Sequence, residues 1–568
     1  MASTLNRRSF LGRTAALSAM GLVLASRAFG GMPGHEFSSV IEAERRSVIS
    51  AMAGSGISAA SVCLVQGDEP RWVEGFGQTT AGAGHTVDVG TLFSIQSTSK
   101  NFAAIAVLLA VQDGLLELDT PITRYLPEFA VNSRFEPAPQ ERITLRLLLA
   151  NRAGFTHEAP VGNNYEADSP SFEAHVRSIA TTWLRFPVGE RYRYSNLGFD
   201  LAGYVLERVT GMPYAQWLRE RLFAPLGMKD STATPAEYLK RADRALGSQD
   251  GYAVVPAVTP LVVSGGVWTS ARDMATYIAF QLAGGRHEAR QLLAPALWDE
   301  MHGFGLGGDY GLGVMRTERR YGTTPVRLLH HRGGGFGFGC VFTYCPEARF
   351  GFAAMFNRAT SAGYGFGDAL IEQLLESRFG PRAPRLPASA LGTIRLSPGR
   401  ARTYAGSWIG RNARVDILDS VDGRLRMRRK GAGTETSLGF VDVDEMFTVD
   451  THGEVVAYRH HAATAGQPAH LECASGEESL DQNDGPDLPP GPDRAHWIHW
   501  LGRYHINQWG KSSMTVDVEH RSGWLYIDGI RLVVEAEQGL FFTSDGEAVD
   551  FRGAIPTWRN MLLRRDAK

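Results

Sequence analysis

A serine and a lysine stand three positions apart in the segment Ser97-Thr98-Ser99-Lys100, in a chain that otherwise carries its positive charge almost entirely on arginine. Only six of the 58 basic residues are lysines. Arginine does not lose its proton in a protein, whereas a lysine that is desolvated or placed near another positive charge can. A neutral Lys100 could therefore take the proton of Ser97 and make its hydroxyl a nucleophile.

The segment that follows this pair must position it. Residues 100–118 are apolar almost all round, which predicts a buried helix that ends near Gly114. Ser97 and Lys100 would lie on one face of its first turn. There the positive end of the helix dipole favours a neutral amine and an oxyanion near the backbone N–H of Ser97. Serine is also a favoured N-cap residue, so a purely structural role for Ser97 stays open at this point.

Two further segments carry groups that fit this chemistry. Tyr194 and Asn196 stand two residues apart, so both side chains can point the same way in an extended loop. A phenol can relay protons, and an amide can hold both a lysine and a substrate. His331 ends a predicted strand that opens into glycines, which let a substrate lie close to the backbone. His330 should face the opposite side, and no third ligand follows at a familiar spacing, so no metal site is predicted.

These three segments resemble the Ser-x-x-Lys, Tyr-x-Asn and Lys/His-x-Gly motifs of the penicillin-recognising serine hydrolases. That superfamily includes class C β-lactamases, D,D-carboxypeptidases, D-aminopeptidases and related esterases. The resemblance covers about residues 40–375, with the motifs in the right order and spacing. No Gly-x-Ser-x-Gly elbow is present, which disfavours an α/β-hydrolase.

The resemblance implies a role for each matching residue. Ser97 would be the acylated nucleophile, Lys100 and Tyr194 would handle its proton and that of the leaving group, and His331 would complete the catalytic set. Substrate binding would fall to Asn196, which also orients the lysine, and to the glycines of the third motif. The oxyanion hole would consist of the backbone N–H groups of Ser97 and Gly334, and the substrate-binding residues would be Asn196, Gly333 and Gly334.

The implied function is hydrolysis of amide bonds in small peptides, including D-residue-containing or linearised cyclic peptides, through an acyl-enzyme. A carboxylesterase or a β-lactamase on the same scaffold is an alternative, although no counterpart of the class A deacylating glutamate is identifiable. A non-catalytic protein that binds penicillin or peptidoglycan is a further alternative. The expected partner is a small peptide or ester substrate, with no cofactor and no metal.

The sequence departs from the family pattern at three positions. Arg332 replaces the small hydroxyl residue that usually follows the Lys or His, so that hydroxyl is not present to bind a substrate carboxylate. Arg332 could bind the carboxylate itself or face solvent, and we expect the second because neighbouring strand residues alternate faces. Asn151 and Ala153 replace a His and a Ser of a flanking segment. We expect these two changes to alter a wall of the cleft.

The predicted fold class is α+β: a β-lactamase/transpeptidase-like domain, with an antiparallel sheet flanked by helices and a helical insertion, followed by two β-rich barrel-like modules. Similar turn and strand patterns recur at residues 404–455 and 502–548, which indicates an internal repeat. The modules loosely resemble lipocalin-like β-barrels attached to some family members; one barrel or two stays open. The predicted units are a twin-arginine signal peptide (1–31), the hydrolase domain (36–380), a linker (381–399), β module 1 (400–470), a flexible connector (471–494) and β module 2 (495–568).

Bulk composition narrows the function classes further. The 568 residues contain 43% hydrophobic and 21% charged residues, which is typical of a globular protein. A net charge of -2 gives no basic field for nucleic acid. No run of apolar residues is long enough for a spanning helix after the signal is removed. The four cysteines form no C-x-x-C pattern, and we expect buried free thiols.

The first residues predict export. Residues 6–11 read Asn-Arg-Arg-Ser-Phe-Leu, which is a twin-arginine pattern, and a moderately apolar stretch and small residues follow. The chain is therefore expected in the periplasm. Replacing Arg7 and Arg8 by Lys keeps both charges but removes the recognised pair, so export should be lost. Cell fractionation of the double variant tests this, and unchanged export would refute the twin-arginine interpretation.

Overall fold

The computed structural model describes residues 34–166, 170–253, 255–258, 260–306, 308–384, 393–410, 413–419, 424–431, 435–449, 453, 455–464, 467–473 and 479–565. The predicted signal peptide lies outside the described residues. Among the described ones, no helix is both long and apolar enough to cross a bilayer.

The described part of the chain contains helices α1 to α13. In chain order they are Gly34–Ser55, Ser99–Gln112, Leu145–Leu149, Phe172–Ile179, Leu197–Thr210, Tyr214–Leu218, Ala224–Leu226, Pro235–Lys240, Ala271–Leu282, Pro295–Met301, Ser361–Tyr364, Asp368–Phe379 and Pro398–Tyr404. Short 3-10 turns lie at Gln96–Thr98, Ile122–Arg124, Pro139–Glu141 and Ala495–Trp500, and a π-helical turn lies at Arg219–Phe223.

The strands β1 to β12 precede the C-terminal sheets. They are Ala59–Gln66, Glu69–Thr80, Ala83–Thr86, Phe93–Ser94, Trp268–Thr269, Arg286–His287, Arg290–Gln291, Met315–Tyr321, Thr324–Gly335, Phe338–Cys345, Phe350–Phe356 and Arg382–Ala383. The strands β13 to β21 are Gly406–Ile409, Arg414–Asp419, Leu425–Arg429, Glu435–Ser437, Gly439–Asp442, Glu445–Val449, Val455–His461, His470–Cys473 and Leu480–Asp484. The strands β22 to β30 are Gly502–Gln508, Lys511–Arg521, Trp524–Ile527, Ile530–Glu537, Leu540–Thr543, Ala548–Asp550, Thr557–Trp558, Met561–Leu562 and Arg564–Arg565.

The main sheet of the hydrolase part is antiparallel, with the strand order β12-β8-β9-β10-β11-β1-β2-β3. Its central strand β1 is buried on both faces. Cys63 and Val65 pack with helix α9 on one face, and Val62 and Leu64 pack with helices α1 and α12 on the other. The expected β-lactamase/transpeptidase-like α+β architecture, with its early hairpin and its three later strands, is therefore confirmed.

A helical insertion covers one face of this sheet and contains the predicted buried helix. Helix α2 is buried from Ser99 to Ala110. Phe102 on this helix stacks on Tyr277 of α9 with ring centroids 3.9 Å apart. The helix ends two residues before Gly114, whose positive φ of 73° suits a glycine. The insertion thus holds the first turn of α2 rigidly against the sheet.

Two barrel-like, nearly closed antiparallel sheets follow, each with nine strands. The first has the order β16-β15-β14-β13-β21-β20-β19-β18-β17 and packs around Trp408 and Tyr404. The second has the order β29-β28-β27-β26-β25-β24-β23-β22-β30 and packs around Trp558 and Tyr504. The two β modules therefore form two separate sheets.

The segment at 471–494 differs from the flexible connector that its acidic, Pro- and Gly-rich composition predicted. Leu480–Asp484 is strand β21, which pairs with β13 and β20 inside the first sheet. Leu480, Asp481 and Asn483 are buried. The predicted linker at 381–399 likewise contributes β12 to the main sheet. The sequence suggests that Asp481 is exposed because the arginines that neutralise it, Arg191 and Arg193, lie about 290 positions earlier in the chain.

The four cysteines and His302 all lie in the interior. Cys63, Cys340, Cys345 and Cys473 are all buried and free, as predicted. His302 is also buried, between the carbonyl oxygen of Trp298 and the hydroxyl of Tyr344.

His302 should make stability sensitive to acid. Burial lowers the pKa of its imidazole from 6.5 to about 4, so the folded chain holds it neutral while the unfolded chain protonates it. Unfolding therefore takes up a proton between these two pH values, and stability falls as the pH drops through that window, by at most about 1.4 kcal/mol per pH unit. His302→Gln should lower this slope in urea unfolding at a series of pH values, whereas the exposed control His85→Gln should not. Equal slopes in the wild type and His302→Gln would contradict the assignment.

Candidate active site

Ser97 lies in the 3-10 turn that leads into helix α2. Gln96, just before it, has a positive φ of 48°, which is uncommon for a residue with a side chain. The N-cap of α2 is Thr98, and it makes no side-chain capping hydrogen bond. The interpretation of Ser97 as a helix cap is therefore wrong. Ser97 is half-buried while its neighbours on both sides are buried, so it is the residue of this turn that solvent reaches.

Lys100 is completely buried beside this serine. Its Nζ lies 2.7 Å from the amide oxygen of Asn196, 3.0 Å from the carbonyl oxygen of Ser264 and 3.3 Å from Ser97 Oγ. The first two oxygens can only accept hydrogen bonds, so they take two N–H groups of the amine. The third direction faces the serine hydroxyl, which can accept from an ammonium group or donate to the lone pair of a neutral amine.

A buried carboxylate fixes the loop that supplies one of these oxygens. Asp200 in helix α5 accepts hydrogen bonds from the backbone N–H groups of Val263 and Ser264 and from the Ser264 hydroxyl. His175 lies on the other side of Asp200, with Nε2 3.3 Å from its Oδ2. Burial raises the pKa of Asp200, but the hydrogen bonds and charge of His175 outweigh it and keep the pKa below its ordinary value. The carboxylate therefore stays ionised and holds the Ser264 carbonyl toward Lys100.

The Tyr194–Asn196 segment approaches Lys100 from the start of helix α5. The Lys100 Nζ lies 4.7 Å from the centre of the Tyr194 ring, which is within cation–π range. Asn151 holds the segment from beneath: its side-chain oxygen accepts from the N–H of Ser195, and its carbonyl accepts from the N–H of Arg193, both at 2.9 Å. We expected Asn151 to alter a wall of the cleft. In the structure it is buried and holds the backbone of the Tyr194 segment.

His331 closes the site from strand β9 and is neutral. Burial lowers the pKa of His331 to about 3. Its Nδ1 lies 2.8 Å from the carbonyl oxygen of Arg332 and must carry the proton of that hydrogen bond, so Nε2 accepts from the Tyr310 hydroxyl at 3.1 Å. The His331 ring centre lies 6.2 Å from that of Tyr194. Arg332 is exposed, as expected.

The glycines after His331 let strand β9 lie directly against the serine turn. A Cβ atom at Gly333 would come within 1.9 Å of the carbonyl oxygen of Ile95, two residues before Ser97. A Cβ atom at Gly334 would meet the Tyr364 hydroxyl at 2.1 Å, although the glycine itself is exposed on the other side. The approach to the serine turn requires a glycine at position 333, and it brings the third motif next to the first.

The structure thus brings together the residues that the three motifs predicted. Four contributors were not predicted as site residues: the Ser264 carbonyl, Asp200, Asn151 and Tyr310. A backbone carbonyl has no side-chain signal in a sequence. Tyr310 lies in the segment Tyr-Gly-Leu-Gly at 310–313, and nothing in that segment predicts its contact with His331.

The second C-terminal sheet reaches toward this region. The hairpin of β22 and β23 places Trp509 at its tip, with a ring centre 5.1 Å from that of Phe336, which lies in the turn after the third motif. Trp509 also contacts Tyr252, and its backbone N–H donates to the carbonyl of Tyr165. The turn that ends β9 is therefore covered by the C-terminal part of the same chain.

The family comparison agrees with this geometry. The family model described as Beta-lactamase matches residues 45–376, which include all three motifs. The chain belongs to the beta-lactamase family. This family consists of serine hydrolases, and the penicillin-recognising type that the motifs resemble is part of it.

Similar members of the beta-lactamase family come from fungi and bacteria. Unguisins hydrolase ungD' of Aspergillus campestris is 28% identical over 347 residues, 57% of this chain and 62% of that protein, so the chain spans less than two thirds of its length. D-alanyl-D-alanine-carboxypeptidase/endopeptidase AmpH of Escherichia coli K12 is 24% identical over 349 residues, 59% of this chain and 89% of AmpH. The crystal structure of SurE with D-Leu has the same fold, with a TM-score of 0.55 at 21% identity over 79% of this chain and 99% of SurE.

The close approach at Gly333 predicts a large effect of one methyl group. Gly333→Ala must push β9 away from the Ser97 turn, and a misplacement of about 1 Å costs about 100-fold in rate. Labelling of Ser97 by a fluorophosphonate, followed by mass spectrometry, should slow by about that factor. Gly54→Ala in α1 is the matched control, since its Cβ meets nothing within 4 Å. An unchanged labelling rate in a folded Gly333→Ala variant would contradict the role of this contact.

Proposed function

We propose that this beta-lactamase family member is a peptidase that forms an acyl-enzyme at Ser97 and cleaves amide bonds of small peptides that contain D-residues. The observation that carries the mechanism is the environment of Lys100. Its Nζ lies within hydrogen-bond distance of two acceptors, Asn196 Oδ1 and the Ser264 carbonyl, and 3.3 Å from the Ser97 hydroxyl.

The proposed first step is attack of Ser97 Oγ on the substrate carbonyl carbon. As the C–O bond forms, the serine proton passes to neutral Lys100 and the carbonyl oxygen becomes an oxyanion. The backbone N–H groups of Ser97 and Gly334 stabilise that oxyanion. Tyr194, beside Lys100, relays a proton to the leaving amine as the C–N bond breaks. Water then hydrolyses the Ser97 ester by the reverse proton path and releases the acid.

Asn196 and His331 act in this scheme without exchanging protons with the serine. Asn196 orients Lys100 and offers its amide N–H₂ to the substrate. His331 has Nδ1 and Nε2 engaged by the Arg332 carbonyl and Tyr310, so it shapes the wall of the site as a neutral ring. His331 therefore positions its neighbours and transfers no proton in this scheme.

The substrate class rests on the relatives. AmpH is named as a D-alanyl-D-alanine-carboxypeptidase/endopeptidase and ungD' as an unguisins hydrolase, and they align with this chain over 349 and 347 residues. The name of AmpH specifies a D-alanyl-D-alanine peptide, and a D-residue peptide is the substrate class that we carry over as a proposal. We further propose that the enzyme works in the periplasm, on the basis of the twin-arginine pattern.

A carboxylesterase is the second candidate, and His331 favours it. A neutral imidazole supplies no cation to a substrate carboxylate, and the exposed Arg332 points away on the alternate strand face. Esters lack the free carboxylate that a carboxypeptidase substrate carries near the scissile bond. Hydrolysis of nitrophenyl esters without cleavage of D-residue peptides would select the esterase over the peptidase.

The mechanism is tested at Ser97 itself. Ser97→Ala should abolish the fluorophosphonate adduct and lower kcat on nitrophenyl esters and D-residue dipeptides by about 1000-fold or more, because the nucleophile is gone. Ser47→Ala, an exposed serine of helix α1, is the matched control and should keep wild-type rates. A folded wild-type protein without an adduct at Ser97 would overturn the proposal in favour of a binding protein.

A further inference from the structure

A buried interface of opposite charges joins the segment before Tyr194 to the two C-terminal sheets. The hydrolase part supplies three guanidinium groups, and the sheets supply three carboxylates. All six side chains are buried: Arg185, Arg191, Arg193, Asp481, Asp545 and Glu547. Since burying a charge is costly unless it is paired, these ions are tied to one another.

Asp481 of strand β21 binds two of the arginines at once. Its Oδ1 accepts from Arg191 at 2.7 Å, and its Oδ2 accepts from Arg193. Asp481 is only 1% exposed, and Arg193 is 4% exposed. Burial lowers the pKa of Arg193, and the charge of Asp481 is the largest influence that opposes this. The first sheet therefore provides the counter-charge that makes burial of Arg193 tolerable.

The second sheet binds the same segment at Arg185. Arg185 lies 3.0 Å from Asp545 and 3.1 Å from Glu547. Burial raises the pKa of Asp545, but the charges of Arg559 and Arg185 outweigh it and keep the pKa below its ordinary value. This contact is nine residues from Tyr194, whereas Arg193 is its immediate neighbour. Asp481 and Asp545 thus form the same kind of buried ion pair, one beside Tyr194 and the other nine residues before it.

Arg193 is held from both sides. Its backbone N–H donates to the Asn151 carbonyl at 2.9 Å, and its guanidinium is fastened to Asp481. The next residue is Tyr194, whose ring lies beside Lys100. Removing one partner of a buried ion pair leaves an uncompensated charge that must find water. Arg193 would then turn toward solvent and displace the adjacent tyrosine.

We propose that Asp481, in the C-terminal sheet, is a positioning residue that holds Tyr194 for proton transfer through Arg193. The first barrel-like sheet is therefore a part of the active site of this chain. The inference rests on the proposed function of Tyr194. If Asp481 has this role, proton transfer depends on it and substrate binding does not.

The experiment uses the full chain with Asp481→Asn. Its kcat on p-nitrophenyl butyrate, and its labelling by the fluorophosphonate, should both fall by about fivefold or more, while KM stays within about twofold. Asp545→Asn removes a carboxylate that is also buried but whose partner, Arg185, lies eight residues further from Tyr194 than Arg193 does, so it should slow kcat less. Asp487→Asn, from an exposed pair with Arg402, should change none of these values. A fall in kcat smaller than about fivefold, or an equal fall in Asp481→Asn and Asp545→Asn, overturns the proposal.

Two further measurements separate the possible failures. If the wild-type chain shows no adduct at Ser97, the proposed function fails. If the wild type is labelled and Asp481→Asn is labelled at the same rate, only the present inference fails. Should Asp481→Asn not fold, Asp481→Glu keeps the charge but shifts Arg193. Its labelling must then be about threefold slower than that of the surface control Asp487→Glu, and equal rates overturn the proposal.

Discussion

The amine of Lys100 is buried completely, and the rest of the site is arranged around its three hydrogen-bonding directions. An amine in such a place must have its N–H groups satisfied, because an unpaired polar group in the interior is costly. Asn196 and the Ser264 carbonyl accept hydrogen bonds from it, and the serine hydroxyl lies 3.3 Å away. The same contacts that make burial of the lysine possible also aim it at Ser97.

Each of these contacts is secured by a second set of buried polar groups. Asp200 holds the Ser264 loop, and Asn151 holds the backbone beside Tyr194. Strand β9 can come close only because Gly333 has no side chain. A satisfied polar network in a low-dielectric interior is rigid, since any movement leaves a donor or acceptor unpaired. This rigidity is what proton transfer between fixed groups requires.

The C-terminal sheets extend this network beyond the hydrolase part. Their buried carboxylates neutralise guanidinium groups that lead into the Tyr194 segment, and the Trp509 hairpin covers the turn that ends β9. Both sheets therefore contact the segments that form the site. The internal repeat produced two similar sheets, but their charged residues contact different parts of the same nine-residue stretch.

The sequence alone determined the α+β architecture, the buried helix α2, the three motifs and the two β modules, because periodicity and spacing record local geometry. It did not reveal strand β21: its acidic residues resemble a solvated connector, since the arginines that neutralise Asp481 lie far away in the chain. Nor did it reveal the Ser264 carbonyl, which has no side chain to mark it, or the engagement of both His331 nitrogens. These features depend on long-range packing, which decides where a charge is paired and which backbone oxygen faces a buried amine.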